Sequence, residues 1–227
     1  MARITMRKTQ ETKLSEIFTL YLASAAARGV KDKTLRTYEQ HFNAISKRLD
    51  VDSNISLITS KDLDIMNNKA LVVIDLQNDI TKNYKEIIET TNQAIDWAAA
   101  NNMNVVYIRH HNLSAGTRTF KPDTRGAEFV PELKIVSDHI FTKTKSNALT
   151  SEEFAAFVTA HNITEFFIAG ADATACIKST CYNMTKDGYA VHVLSDCITS
   201  YDKKKLPEML EYYASKGCTV DKLSEIM

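Results

Sequence analysis

Between residues 67 and 227, short and nearly continuous apolar runs alternate with segments of helical composition. The first run, Ala-Leu-Val-Val-Ile at residues 70–74, ends at the carboxylate of Asp75. The other predicted strands cover residues 104–109, 138–143, 165–169 and 190–195, with a short edge strand at 218–220. Strands that are apolar on both faces and connected through helices form a parallel sheet covered on both sides. We therefore predict an α/β domain for residues 67–227.

Residues 1–66 follow a different pattern. Apolar side chains recur at the spacing of one helix face from Leu14 to Ala25, and again from Leu35 to Leu49. We therefore predict a short helical segment, residues 1–66, ahead of the α/β domain. Two helices alone bury little surface, so we expect this hairpin to pack on the second domain or on another subunit.

Composition excludes several classes of function. The 227-residue chain has 28 basic and 28 acidic residues and a formal net charge of zero, so no strong basic charge predicts nucleic-acid binding. No apolar stretch reaches the roughly 18 residues of a membrane span, and residues 1–10 lack the apolar core of a secretory signal. The 4 cysteines form no C-x-x-C pair. We expect reduced thiols in a cytoplasmic protein.

Three predicted strands are followed by residues that can carry chemistry. Asp75 ends the first strand, Lys143 ends the third, and Cys176 comes at the start of a helix shortly after Gly170 and the fourth strand. Ligands of parallel sheets bind outside the carboxyl ends of the strands, so we expect these side chains to meet. A helix N-terminus carries unpaired N–H groups and partial positive charge, which lower a cysteine pKa and hold an oxyanion.

This set matches what a cysteine nucleophile needs: a base, a partner for the base and donors for the oxyanion. Asp75 can accept the thiol proton, and Lys143 can hold the carboxylate and balance its charge. Each residue also has a structural interpretation: Cys176 as an inert core cysteine, Asp75 as a helix cap, and Lys143 as a surface lysine that Lys145 could replace. The agreement of three strand ends favours the catalytic interpretation.

Five short motifs follow one another in the second domain. They are Val73-Ile74-Asp75-Leu76-Gln77-Asn78-Asp79, Pro122-x-Thr124-x-Gly126-x-Glu128-x-x-Pro131-Glu132-Leu133, Lys143-x-x-x-x-Ala148-Leu149, Gly170-x-x-x-Thr174-x-Cys176-Ile177-x-x-Thr180 and Gly188-Tyr189-x-Val191-x-Val193-x-x-Asp196. In this order and spacing, residues 67–227 resemble the isochorismatase-like cysteine hydrolases. The resemblance implies a three-layer α/β/α fold with a mostly parallel six-stranded sheet. It also implies hydrolysis of a small amide, or a related C–N or ester bond, through a thioester.

The resemblance assigns roles to individual residues. It implies Asp75 as base, Lys143 as its partner and Cys176 as nucleophile. It implies a cis peptide bond between Ala171 and Asp172, and backbone N–H groups of Asp172 and Cys176 as oxyanion donors. An acidic residue at position 172 is unusual for the family and would repel anionic substrates. Proteins of this kind are commonly dimers or larger, so we expect a homo-oligomer that acts on a small molecule.

The sequence predicts no metal and no cofactor. Nicotinamidases of this family bind a metal through an Asp-x-His pair and a further histidine, and the sequence has no such pair. His110 and His111 are adjacent, so on an extended chain they point to opposite faces and cannot serve one metal together. We expect them to line the mouth of a pocket or to face solvent. Glycine-rich phosphate loops and dinucleotide fingerprints are also absent from the sequence.

The N-terminal segment carries motifs of its own, Phe18-x-x-Tyr21-Leu22, Arg28-Gly29-x-x-x-Lys33-Thr34-Leu35-x-x-Tyr38 and Leu57-Ile58-Thr59-x-x-Asp62-Leu63. They resemble the start of the SAM-like core-binding domain of tyrosine recombinases (phage integrases). No recombinase catalytic domain follows, so we expect neither strand transfer nor independent DNA binding. The alternative function for the whole chain is a non-catalytic scaffold that uses the helical segment to bind DNA or protein.

Overall fold

A computed structural model of the protein describes residues 13–27 and 68–227, with isolated positions between 35 and 46. The chain divides into two compact units, residues 1–67 and 68–227. The first unit contains helix α1, Leu14–Ala27. The ring of Phe18 in this helix stacks on the ring of Phe42, which lies later in the chain, with centroids 4.0 Å apart. The predicted second helix and the later integrase-like motifs lie largely outside the described residues. Within the described part of the chain, no helix is long and apolar enough to cross a membrane.

The second unit is built on one six-stranded sheet. Its strands are β1 (Asn68–Ile74), β2 (Asn104–His110), β3 (Ile140–Lys143), β4 (Ile163–Gly170), β5 (Ala190–Ile198) and β6 (Thr219–Asp221). They are arranged in the order β3-β2-β1-β4-β5-β6, and every neighbouring pair is parallel. The predicted α/β fold is therefore confirmed, and the sheet is wholly parallel, whereas the family resemblance implied a mostly parallel one.

Helices cover both faces of the sheet. They are α2 (Asn78–Thr81), α3 (Ile88–Ala100), α4 (Glu152–Ala160), α5 (Cys176–Lys186), α6 (Leu206–Ser215) and α7 (Leu223–Ile226). Alternate residues of β1 enter two separate cores because successive side chains of a strand point to opposite faces. Val72 packs in the core formed with α4, α5 and α6, and Leu71 packs in the core formed with α3 and α7. The result is a three-layer α/β/α sandwich.

The strand order places the ligand-binding edge. The chain moves outward from β1 through β2 to β3, and then returns to the other side of β1 as β4. The order therefore reverses between β1 and β4, and open parallel sheets bind ligands at the carboxyl ends of the strands at such a point. Asp75 follows β1 at this edge, and the turn after β4 leads to Cys176.

Candidate active site

The structure brings the three predicted side chains together. Lys143 is the last residue of β3, and Cys176 is the first residue of α5. The Lys143 ammonium donates to Asp75 Oδ2 at 2.7 Å and to Cys176 Sγ at 3.3 Å. Lys145, which the sequence left open as an alternative, is exposed. The lysine that contacts the carboxylate is Lys143.

Asp75 and Lys143 form a buried ion pair. Each of the two residues is only 1 % exposed. Among the described residues, the second carboxylate oxygen, Asp75 Oδ1, is buried and accepts no hydrogen bond. Buried polar atoms are nearly always paired, so an unpaired one calls for an explanation. An acceptor kept free for a proton that moves during a reaction is one such explanation.

The thiol of Cys176 is held in its protonated form. Burial raises its pKa to about 12, the negative charge of Asp75 adds to this effect, and Lys143 opposes it without prevailing. The sequence led us to expect a lowered pKa at this helix N-terminus, whereas burial and the charge of Asp75 raise the pKa. The thiol therefore needs a base that accepts its proton as it reacts. Cys176 is partly exposed, whereas Cys181, Cys197 and Cys218 are buried.

His110 is a further member of this site. It is the last residue of β2 and pairs in register with Lys143, and its Nδ1 lies 3.0 Å from Lys143 Nζ. Burial and the charge of Lys143 lower the pKa of His110, so the ring is neutral near neutral pH. The sequence led us to expect His110 at a pocket mouth or in solvent. The signal that could have found it was its position at a strand end, which Asp75 and Lys143 share.

The donor set does not fit a resident metal. A carboxylate oxygen of Asp75, a ring nitrogen of His110 and Cys176 Sγ lie within 4.8 Å of one another, and these are atom types that zinc binds. However, the Lys143 ammonium lies within hydrogen-bonding distance of all three residues. A cation placed among these atoms would have to displace a positive charge that already bridges them.

The turn between β4 and α5 presents two free backbone donors. The peptide bond between Ala171 and Asp172 is cis. The N–H groups of Ala175 and Ile177 both donate to Asp172 O, each at 3.1 Å. Within the described part of the chain, the N–H groups of Asp172 and Cys176 donate to no acceptor. These are the two groups that the resemblance implied as oxyanion donors.

The Asp172 side chain is engaged by hydrogen bonds from three chain segments. Its Oδ1 accepts from the N–H and hydroxyl of Thr174, both at 2.7 Å, and its Oδ2 accepts from Tyr201 N–H at 2.7 Å and Tyr84 hydroxyl at 2.9 Å. The Ser200 hydroxyl lies 3.1 and 3.2 Å from the two oxygens. Burial acts to raise the pKa of Asp172, but the bonds from Tyr201, Thr174 and Tyr84 together lower it. The charge that we expected to repel anionic substrates is therefore bound by protein donors.

Three consecutive side chains after Asp75 hold the long segment between β2 and β3. Gln77 bonds to His110 and Ala127, Asn78 bonds to Arg125 and Glu128, and Asp79 bonds to Phe120. The Gln77 amide both donates to His110 O at 3.0 Å and accepts from His110 N–H at 2.7 Å. The segment is thus attached to the same stretch of chain that carries the carboxylate of the site.

Comparison with known protein families matches residues 69–223 to the Isochorismatase domain. The chain belongs to the isochorismatase family. A "probable inactive nicotinamidase" of Arabidopsis thaliana is 26% identical over 57% of this chain and 79% of its own length. The family match does not extend to the N-terminal unit.

Solved structures give the same fold. The zinc complex of a pyrazinamidase from Pyrococcus horikoshii superposes with a TM-score of 0.63 at 21% identity, covering 69% of this chain and 99% of its own. An N-carbamoylsarcosine amidase from Thermoplasma acidophilum gives a TM-score of 0.61 at 19% identity, covering 68% and 96%. At these identities the two likenesses establish the three-layer architecture of an isochorismatase-family hydrolase.

Proposed function

We propose that the α/β unit is a cysteine-dependent hydrolase of a small amide, or of a related C–N or ester bond. The observation that carries the proposal is the contact of one buried ammonium, that of Lys143, with both Asp75 and Cys176. This arrangement provides a nucleophile, a base beside it and a fixed positive charge between them. A core cysteine without a catalytic role would not require a buried ion pair next to its sulfur.

In the first half of the reaction, Asp75 accepts the proton of the Cys176 thiol while Sγ attacks the carbonyl carbon. Because the thiol pKa is raised to about 12, this proton transfer accompanies the attack rather than precedes it. The oxyanion that forms accepts hydrogen bonds from the N–H groups of Asp172 and Cys176. As the C–N bond breaks, protonated Asp75 returns its proton to the departing nitrogen and leaves a thioester on Cys176.

In the second half, a water molecule replaces the amine. Asp75 accepts a proton from the water as its oxygen attacks the thioester carbonyl carbon. The C–S bond then breaks, the proton on Asp75 passes to the Cys176 sulfur, and the carboxylic acid product leaves. Throughout both halves, the Lys143 ammonium stabilises the negative charge as this charge moves between carboxylate and sulfur. The unpaired Oδ1 of Asp75 is the oxygen available to carry the moving proton.

The amide class is supported by the names of the relatives. The two structural relatives reported above are named as amidases, a pyrazinamidase and an N-carbamoylsarcosine amidase. Both names describe hydrolysis of a C–N bond in a small molecule. We extend that class to this chain, because within the described residues the N–H groups of Asp172 and Cys176 have no acceptor and can bind a carbonyl oxygen.

The experiment is a screen of small amides, carbamoyl compounds and esters, followed by intact-protein mass spectrometry of the reacting enzyme. We expect turnover and a covalent acyl adduct in the wild type and in Cys181→Ala, but neither in Cys176→Ala. Cys181 is the matched control because it lies on the same helix and is buried about 140° around the helix axis from Cys176. Near-normal turnover by folded Cys176→Ala would exclude the thioester mechanism.

Asp75→Asn tests the base but needs a control for folding. It should lower turnover by several orders of magnitude. Adding it to Cys176→Ala should lower turnover hardly any further, because the effects of substitutions at residues that act as a unit are not additive. It also leaves the buried Lys143 ammonium without its counter-charge, and breaking such a pair costs about 3–5 kcal/mol. A thermal melt of each variant is therefore required before its turnover is interpreted.

A second candidate, a non-catalytic scaffold or binding protein, is favoured by one observation. The Arabidopsis relative is named as probably inactive, so the fold occurs in a protein described without activity. In that case the helical N-terminal unit would carry the interaction with DNA or protein. Absence of both turnover and acyl adduct across the screen, with Cys176 unreactive in the folded protein, would favour this second candidate.

A further inference from the structure

We propose that His110 is a positioning residue that holds the Lys143 ammonium beside the Cys176 sulfur. The inference rests on the proposed function, in which Cys176 is the nucleophile and Lys143 supplies the charge that stabilises its thiolate. It adds to the base, lysine and cysteine a fourth side chain whose contribution is to fix where that charge lies.

The geometry provides an acceptor for each proton of the ammonium. Lys143 Nζ has Asp75 Oδ2 at 2.7 Å, His110 Nδ1 at 3.0 Å and Cys176 Sγ at 3.3 Å. An ammonium carries three N–H donors and no acceptor. The first two partners are the closer ones; Asp75 directly follows β1 and His110 ends β2, so they anchor the nitrogen from two neighbouring strand ends. The remaining proton is then directed at the sulfur.

His110 can accept from Lys143 only through an unprotonated Nδ1. A neutral imidazole carries its proton on one nitrogen and accepts on the other. Since an ammonium is a donor only, the contact requires the tautomer with the proton on Nε2. Burial and the charge of Lys143 both act against protonation of His110. The ring therefore solvates the ammonium without adding a second positive charge beside it.

The imidazole is itself held in place. The backbone N–H of His110 donates to Gln77 Oε1 at 2.7 Å, and its carbonyl accepts from Gln77 Nε2 at 3.0 Å. The ring lies against Phe120, with centroids 5.5 Å apart. Gln77 therefore fixes the backbone of His110, and Phe120 packs against its ring.

Removing this acceptor leaves Lys143 anchored by Asp75 alone. The ammonium then has one unsatisfied proton in a buried site and is free to move away from the sulfur. Its stabilisation of the thiolate weakens, while the burial and the Asp75 charge that disfavour the thiolate remain. The charged and titratable groups that influence the Cys176 thiol are Asp75, Lys143 and Tyr84. A substitution at His110 removes none of these three groups, so it acts on the thiol through the position of Lys143.

The test is the rate at which iodoacetamide alkylates Cys176 between pH about 7 and 10, followed by peptide mass spectrometry of the full chain. Only the thiolate reacts, so the rate below the thiol pKa reports the thiolate population. We expect His110→Leu to be alkylated about tenfold more slowly than the wild type at every pH, since hydrogen bonds to charged groups have effects of this order. His110→Asn should restore the rate, because its amide oxygen lies near the position of Nδ1.

The matched control is His111→Leu, which removes the neighbouring imidazole and should leave the rate unchanged. If His110→Leu fails to fold in a thermal melt, His110→Gln replaces it, because the longer side chain places no acceptor at the Nδ1 position. A rate for His110→Leu or His110→Gln equal to the wild type overturns the proposal, as does an equally slow His110→Asn. Alkylation needs no substrate, so this result is independent of the amide screen that decides the proposed function.

Discussion

Gly170→Ala should damage the fold at the point where the site is built. Gly170 ends β4 with φ +115°, a conformation that side-chain-bearing residues rarely adopt. A Cβ at this position would lie 2.1 Å from Ile74 O and 2.7 Å from Ile74 N. These are backbone atoms of the neighbouring strand, and Ile74 O also accepts from Ala171 N–H at 3.0 Å. The methyl group can therefore be accommodated only if β1 and β4 move apart.

The expected cost has two parts. The left-handed conformation costs an alanine about 1–2 kcal/mol, and forcing extra atoms into a packed interior costs about 1–3 kcal/mol. The sum is about 2–5 kcal/mol, a large share of the roughly 5–15 kcal/mol by which a folded domain is stable. Gly188→Ala is the matched control, because Gly188 has φ +92° but no atom within 4 Å of an added Cβ. Gly188→Ala should therefore destabilise the fold only by the cost of the left-handed conformation, about 1–2 kcal/mol.

The assay is urea and thermal unfolding of the full chain, with both variants beside the wild type. At about 2–4 °C per kcal/mol for a protein of this size, Gly170→Ala should melt about 4–20 °C lower, and Gly188→Ala about 2–8 °C lower. Because Ile74 immediately precedes Asp75, Gly170→Ala should also lose turnover at temperatures where it remains folded. If Gly170→Ala melts no lower than Gly188→Ala, the close approach of the two strands has been misjudged.

Four further outcomes follow from the site and the resemblance. Asp172→Asn should lower kcat more than it changes KM, because one amide cannot accept every hydrogen bond of the carboxylate; steady-state kinetics would show this, and an unchanged kcat would contradict it. Folding lowers the pKa of Asp172. The ionised carboxylate therefore stabilises the fold fully when the pH is above the pKa of Asp172 in the unfolded chain, and this stabilisation is lost as the pH falls through the pKa in the folded protein. Urea midpoints should therefore drop more steeply in acid for the wild type than for Asp172→Asn. Lys145→Ala should retain turnover and Lys143→Ala should not. The reverse result would mean that Lys145, and not Lys143, is the lysine that takes part in the reaction. The α/β unit should self-associate, and light scattering from a monomer at high micromolar concentration would count against it.

The strands and the three predicted side chains could be found from the sequence because their signals are local. Apolar runs identify buried strands, and parallel strands bring their carboxyl ends to one edge. This is why Asp75, Lys143 and Cys176, which are far apart in the chain, meet within hydrogen-bonding distance. The short helices α2 and α7 were missed because four residues carry too little periodicity to predict a helix.

The remaining features depend on contacts that no local pattern contains. Asp172 receives hydrogen bonds from Tyr84 and Tyr201, which are 88 and 29 residues away, so the sequence alone suggested a free charge. The pKa of Cys176 follows burial beside Asp75 rather than the helix end that precedes it in sequence. Strand alternation indicated that His110 and His111 point to opposite faces, but not that His110 would reach Lys143. In each case, the deciding partner is supplied by another element of the fold.

The hydrogen bonds of residues 77–79 have a consequence for how such an enzyme can be altered. They join the long segment after β2 to the strand end that carries Asp75, mainly through backbone groups of the segment. Backbone N–H and C=O groups do not depend on side-chain identity, so the segment can change much of its sequence and keep its attachment. Gly126 is an exception, since a Cβ there would lie 2.2 Å from the Asp79 carboxylate. A library that varies the segment but keeps Gly126 and residues 77–79 would therefore sample new specificities around an unchanged catalytic centre.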